Sequence, residues 1–380
     1  MRIIHCPEII GSHAPALAEA ERRLGFASES VALAPHPFSY PADRVLSGVG
    51  RLRMELARWR LLLRLLRKAD IVHFNFGMSS MPQRVALDAP WDTRTPRWAR
   101  WLYNVYAGAL ELRDLQWLRQ RRKRIVVTFQ GDDVRQGETL RRDYNPHPAD
   151  EVSIYTPEGD RLKAERVALF ERHADAIYAL NPDLMRVLPA RTRFLPYAVP
   201  LAGSGAPPPR PIQQEQGMRS VLHAPSHRGA KGTRYVLNAV ERLRSEGHAF
   251  RFTLVEGLPH EEALRLYAEA DLVVDQLLYG WYGALSVEAM ALGKPVIAYI
   301  READLACVPP AMREALPVIV ADAHTIYDVL KHWLTVGPQA LEEQGRRSRE
   351  FAARWHDPLS VARETTALYR AITNATTERA

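Results

Sequence analysis

The chain has 380 residues, with 51 lysines and arginines against 44 acids, a net charge of +7 and two cysteines. That length exceeds what one core normally serves, so two domains are expected. The distant pair Cys6 and Cys307 excludes a disulfide framework or cysteine-rich zinc site and fits a reducing compartment. The basic balance favours anionic partners such as nucleotides or anionic lipid. Nucleic acid is set aside, because neither zinc-finger spacing nor an aromatic-basic RNA-recognition signature is present. No run of about 18 apolar residues occurs, and the opening MRIIHCPEII lacks the apolar core of a signal peptide. A cytoplasmic protein is expected.

Taken in order, residues 2–6 read as a strand, about Ala14 to Leu24 as a helix, and Ser30–Ala34 as a second strand. Arg51–Lys68 is a basic amphipathic helix with Leu52, Leu56, Trp59, Leu63 and Leu66 at helical spacing. It either covers a domain with a solvated basic face or docks on anionic lipid at the inner membrane surface. Asp70–Phe76 is a strand. Thr95–Arg119 reads as an aromatic-rich helix, and Trp91, Trp98, Trp101, Tyr103 and Tyr106 are expected in the core or along an acceptor wall. Arg124–Phe129 is a strand ending in Gln130-Gly131-Asp132-Asp133. A helix near Arg161–His173 and strands at Ala176–Leu180 and Arg193–Tyr197 complete a first domain over residues 1–198. Residues 199–217, rich in proline, glycine and glutamine, read as a linker.

The alternation then restarts over residues 218–355, with a strand at Ser220–His223, a helix at Thr233–Ser245, a strand at Phe250–Val255 and a helix at Glu261–Ala270. Strands alternating with helices predict a doubly wound α/β sheet in each half. Asp271–Ile300 is the most informative stretch. An apolar run Asp271–Leu278 predicts a buried strand, Tyr279–Gly283 a turn, Ala284–Leu292 a helix stopped by Gly293 and Pro295, and Val296–Ile300 another strand. Helices close the chain, the last within residues 356–380.

Two places carry chemistry. Arg228 and Lys231 lie in a glycine-bearing loop just before a helix, where cations oppose the helix dipole unless an anion sits between. The loop is either simply solvated or an anion site. Gly283 admits close approach of a ligand, and the free N–H groups of Ala284 and Leu285 at the next helix start suit a phosphate. Glu288 interrupts an almost wholly apolar helix, so it needs a structural partner or a cleft with ligand hydroxyls. Both loops follow parallel strands and can converge on one diphosphate. Only Gly11 lies after the first strand, so a three-glycine dinucleotide fingerprint is absent, and Lys231-Gly232-Thr233 has the wrong order for a Walker loop.

These residues resemble a known family. Arg228-Gly-Ala-Lys231-Gly232-Thr233, Ala270-Asp271, Tyr282-Gly283 and Glu288-Ala-Met-Ala-Leu-Gly293-Lys-Pro-Val296 look like the retaining glycosyltransferases of family four. The resemblance implies a GT-B fold of two Rossmann-like domains facing across a cleft, with the final helix returning to the first domain. It further implies that Arg228 and Lys231 bind the donor diphosphate and stabilise the leaving group. Tyr282, Gly283, Ala284 and Leu285 would hold the donor phosphates, Glu288 would take the nucleotide ribose, and Gly11 would face donor and acceptor. Catalysis would need neither cofactor nor metal, because fixed cations meet the leaving-group charge. The partners would be a nucleotide sugar and a glycan, lipid-linked or small-molecule acceptor.

The chain departs from the family where a first glutamate stands eight positions before the second: here that residue is Gly280. Asp275 or Gln276 could substitute in sugar contacts or simply end a strand. Gln130 replaces a histidine of the family, and Asp132, Asp133 and Arg135 after it could meet the acceptor or pair with one another. Gly280 therefore leaves a non-catalytic nucleotide-sugar-binding scaffold open, and a sugar-nucleotide epimerase remains a third reading.

Overall fold

The computed structural model describes residues 1–36, 40–46, 50–89, 95–200 and 218–377, the last three by backbone alone. Trp91 and most of the expected linker lie outside the described residues. Twelve strands are described: β1 Arg2–Cys6, β2 Ala27–Ala32, β3 Arg44–Val45, β4 Ile71–Asn75, β5 Arg124–Phe129, β6 Ala176–Ala179, β7 Arg193–Phe194, β8 Arg219–His223, β9 Phe250–Leu254, β10 Leu272–Val274, β11 Val296–Ala298 and β12 Ile319–Val320. The helices are α1 His13–Arg23, α2 Arg51–Lys68, α3 Arg97–Leu110, α4 Arg113–Gln120, α5 Gly137–Asp143, α6 Pro148–Glu151, α7 Pro157–His173, α8 Arg228–Lys231, α9 Thr233–Ser245, α10 His260–Glu269, α11 Ala284–Ala291, α12 Pro310–Glu314, α13 Ile326–Thr335, α14 Pro338–Trp355 and α15 Pro358–Thr377.

The chain divides into two compact units. One comprises Met1–Arg142, Ser153–Ala198 and Pro358–Ala380; the other comprises Asp143–Val152 and Val199–Asp357. In the first, seven parallel strands run in the order β3-β2-β1-β4-β5-β6-β7. The central strand β4 is buried along its whole length, as expected of a strand covered on both faces. α7 starts where Thr156 Oγ1 accepts from Gly159 N at 3.1 Å, with Pro157 in the first turn. The single helix expected over Thr95–Arg119 is two. α3 stops at Glu111, and Leu112 takes a left-handed φ of 57° before α4. The last helix, α15, buries Val361, Ala362 and Tyr369 in one cluster with Ile3, Leu17 and Ala20. Tyr369 OH also bonds buried His73 Nδ1 at 2.6 Å.

In the second unit five parallel strands run in the order β12-β11-β10-β8-β9. β8 and β10 are neighbours, with His223 opposite Val274. The loops that leave their carboxyl ends therefore start side by side. β10 is shorter than expected: the apolar run continues beyond Val274 as a buried irregular loop to Gly283. That loop lies along the chain after β11, where Tyr299 N donates to Gln276 O at 2.8 Å and Arg301 N to Gly280 O at 3.0 Å. A decapeptide from the first half, residues 143–152, belongs to this unit.

Candidate functional site

The loop after β8 is fixed at its root by His223. Burial pushes this imidazole down to a pKa of about 4, so it is neutral at physiological pH. Nδ1 lies 2.9 Å from Val274 O, which only accepts, so Nδ1 carries the proton. Nε2 then accepts from Thr233 Oγ1 at 2.9 Å, the first residue of α9. One side chain thus ties β8, β10 and α9 together. Between His223 and α9 the chain makes the single turn α8, begun by His227 Nδ1 accepting from Ala230 N at 3.2 Å. Gly229 has no room for a side chain, because a Cβ there would overlap the Glu151 carbonyl of the decapeptide. Glu151 also forms an ion pair with Arg234.

From this turn Lys231 reaches the start of α11. Its Nζ is 2.7 Å from Asp275 Oδ1 and 2.9 Å from Gln276 Oε1. The other carboxylate oxygen of Asp275 accepts from Gly283 N at 2.8 Å and from Ser286 Oγ at 2.7 Å. Burial alone would raise the Asp275 pKa, but the Lys231 charge and these hydrogen bonds outweigh it and hold the carboxyl below its ordinary range. Lys231 Nζ lies 3.0 Å from where a Cβ on Gly283 would sit. Its backbone is extended, with φ −96° and ψ −176°, so what favours glycine there is the close approach of Lys231 and Asp275 rather than backbone conformation. Nothing among the described residues accepts from the N–H of Ala284 or Leu285, and both residues are partly exposed. The structure therefore gathers Lys231, Gly283 and two unpartnered helix-start amides in one place.

One turn further along α11, Glu288 is buried, and its Oε1 is 2.8 Å from His260 Nε2 at the start of α10. Its Oε2 has no partner among the described residues but is not sealed from solvent. A carboxylate engaged through one oxygen can still accept a ligand hydroxyl through the other. Arg228 is placed differently from Lys231. It is exposed and engages Glu256, just beyond β9, through Nε at 2.7 Å and Nη2 at 2.5 Å. An exposed pair of this kind is screened by water and exchanges readily for a stronger anion.

Asp275 and Gln276 are not free to reach a sugar. Asp275 is fully buried with both oxygens engaged, and Gln276 is shared between Lys231 and the Trp281 carbonyl. They hold Lys231 and the turn. Tyr282 is not at the helix start either. Its ring is fully buried, stacks on Trp281 at 4.4 Å and bonds His356 Nε2 through its hydroxyl at 2.9 Å. It is a core side chain, beneath α14 rather than beside the Ala284 and Leu285 amides. Gly280 is packed so closely that a Cβ would overlap Arg301 Cβ.

In the first unit, Gly11 takes φ 64° in the turn before α1, a conformation that favours glycine. Gln130 is buried, its Nε2 lying 3.4 Å from Asn75 Oδ1. Asp132 is partly exposed and accepts from Tyr155 OH at 2.5 Å, with Arg135 Nη1 at 3.4 Å. Arg135 makes its closer pair with Asp183, at 2.6 Å. Asp133 caps the strand end by accepting from Gly131 N at 2.7 Å and Gln130 N at 3.1 Å. Burial pushes the Asp133 pKa up to about 6 despite those bonds. The native state then holds a proton that the unfolded chain has released between pH of about 4 and 6. Wild-type stability should fall across that window relative to Asp133→Asn, by up to about 3 kcal/mol, and level off above it. Urea unfolding of the two proteins from pH 4 to 7 reads this difference.

Four contributors were not singled out from sequence: His223, Glu256, His260 and Ser286. Each acts through a partner ten or more residues away in the chain, which its own sequence position does not reveal. His260 and Glu256 would have been reachable only by asking what could answer Glu288 and Arg228.

No protein-family model matches the chain, and no curated protein matches it in sequence. Solved structures do match in shape. Sucrose-phosphate synthase from Thermosynechococcus elongatus superposes with a TM-score of 0.60 at 16% identity, over 99% of this chain and 100% of that one. A glycosyltransferase from Rickettsia africae gives 0.55 at 11% identity over 98% of each chain. Anabaena HepE in complex with UDP-glucose gives 0.57 at 11% identity over 97% and 99%. Two parallel-sheet units matched over nearly the full length to such structures make the fold that of the GT-B glycosyltransferases.

Proposed function

We propose that the chain transfers a glycosyl group from a nucleotide-diphosphate sugar to a glycan, lipid-linked or small-molecule acceptor, with retention at the anomeric carbon. The observation that carries this reading is the meeting of Lys231 Nζ with Gly283 and the open amides of Ala284 and Leu285. A diphosphate there would accept from the two amides and the lysine, with the α11 dipole behind them. Arg228 would leave Glu256 for the same anion. Together these groups would stabilise charge developing on the leaving nucleotide without requiring a metal. Glu288 Oε2 would accept from ribose hydroxyls while His260 holds Oε1. Gly11 as a donor contact and Asp132 as an acceptor contact are proposed on the family resemblance alone. A cytoplasmic setting is supported by a sequence with only two cysteines, Cys6 and Cys307, far apart in the chain.

The test is donor affinity and transfer in Lys231→Ala and Glu288→Ala. Lys231→Ala should slow transfer by about 100-fold or more, and Glu288→Ala should weaken donor binding by about tenfold. Wild-type binding and turnover in both variants would sink the proposal.

Gly280 favours a second reading, a nucleotide-sugar-binding scaffold, since the family's sugar-contacting glutamate has no space here, and an epimerase is the third. Calorimetry against a panel of nucleotide sugars, followed by product analysis, separates these. Binding with no turnover across acceptors supports the scaffold, and donor conversion without acceptor supports the epimerase.

A further inference from the structure

Helix α3 is built inside out. Apart from Ala107, its inward side is polar: Arg100 is buried with Nη1 3.4 Å from the carbonyls of Ala86 and Ala89, and Asn104 exchanges two hydrogen bonds with the Val85 backbone at 2.8 and 2.9 Å. Its outward side is apolar. Trp98 is 67% exposed, Trp101 56%, and Leu102 and Val105 more than half. A surface helix normally turns that stripe to the core. The expectation that Trp98 and Trp101 pack in the core is therefore corrected: Arg100 and Asn104 occupy the inner side, held by backbone groups that need partners.

Helix α2 has two apolar stripes where the core uses one. Ala57, Leu61, Leu62 and Leu65 are buried. Leu52, Leu56, Trp59 and Leu63, spaced four, three and four apart, form a separate exposed stripe, with Leu52 83% exposed. Beside it run Arg53, Arg60 and Arg67, one per two turns, all exposed and without an ion pair among the described residues. The stripes on α2 and α3 adjoin at their edges, where Tyr106 OH donates to Glu55 Oε2 at 2.6 Å. Glu55 is the only acid on either helix, and that bond together with Arg58 at 3.5 Å occupies it. Most of the exposed large apolar side chains of the described residues lie on these two helices.

We infer that the α2–α3 face seats on an anionic lipid bilayer. Tryptophan and tyrosine with leucine and valine suit the boundary between headgroups and acyl chains, where one end of the ring is dry and the other wet. The flanking arginines answer lipid phosphates, each adding attraction to an anionic surface. No helix of the described residues is long and apolar enough to cross a membrane, so this is a surface seat. Charge separates the bilayer from a second copy of the chain. A twofold contact through this patch would bring the arginine rows together with no free acid on either side. The inference stands apart from the donor-site reading and uses none of its residues.

The test is flotation of the full chain with phosphatidylcholine vesicles, with or without one-third phosphatidylglycerol. Two variants accompany it, Trp98→Ser/Trp101→Ser/Val105→Ser and Arg53→Glu/Arg60→Glu/Arg67→Glu. All six positions are exposed, and unchanged circular dichroism and melting would show that each variant folds. Wild-type protein is expected to bind anionic vesicles at least about tenfold better than neutral ones, with the tryptophan emission shifted to the blue. Each variant should lose about tenfold or more in binding. Equal wild-type partitioning to neutral and anionic vesicles, no partitioning at all, or variants that bind like wild type would overturn it. So would a wild-type dimer that the tryptophan variant converts to monomer. Nucleotide-sugar calorimetry on the same samples reads the donor site separately.

Discussion

Asp275→Ala is expected to cost the second unit about 3–5 kcal/mol. The carboxylate is fully buried and accepts from Lys231, Gly283 N and Ser286. Truncation strands a buried amide and a buried hydroxyl and leaves the lysine only the Gln276 oxygen. Asp275→Asn should be nearly as damaging. It keeps the shape but loses the charge and must turn an NH2 either toward Lys231 or toward the Gly283 and Ser286 donors. The loss should appear as a lower urea midpoint with the slope unchanged. Because the native carboxyl is held below its ordinary range, its contribution is complete above pH of about 4 and fades as pH falls through the lowered pKa. The difference between wild type and variant should therefore shrink on acidification. A variant as stable as wild type at pH 7 would mean that Asp275 does not hold the turn.

Gly280→Glu, which restores the residue the resembling family carries, is expected to destabilise the chain by more than about 3 kcal/mol and to bring no gain in transfer. Even Gly280→Ala should cost about 1–3 kcal/mol. The reason is backbone placement. The Gly280 carbonyl accepts from Arg301 N, which draws the two segments together, and a Cβ would overlap the Arg301 side chain. Residues on both sides of Gly280 are buried, so the turn has little freedom to move outward. Thermal melting and donor turnover of the two variants check this. A Gly280→Glu protein that melts like wild type and transfers faster would show that the turn opens to admit the glutamate.

The unit around α11 was the most legible part of the chain. Its helix is bounded by Gly283 and Gly293, and its apolar strands β10 and β11 fall within the segments read for them. Periodicity went wrong where burial did not mean regular structure. The run after Val274 is as apolar as a strand, yet Asp275 folds the chain back on Gly283, and the segment pairs with residues after β11 instead. At the candidate site, the convergence of Lys231 with Gly283 was legible because both follow neighbouring parallel strands. The partners of Glu288 and Arg228 were not, since His260 and Glu256 belong to other elements. The outward face of α3 was misread for a related reason. Aromatic spacing shows that a stripe exists, but which way it points was decided by Arg100 and Asn104 bonding the backbone of residues 85–89.

The decapeptide 143–152 bears on how the protein can be dissected. A fragment cut at the proline-rich stretch and produced from Met218 onward would lack Glu151, whose carbonyl lies against Gly229 and whose carboxylate meets Arg234. It would also lose Tyr144, which stands edge-on to Tyr299 at 6.4 Å. The α8 turn that delivers Lys231 would then rest on solvent on that side. Under the proposed function, nucleotide affinity measured on such a half would understate that of the intact polypeptide.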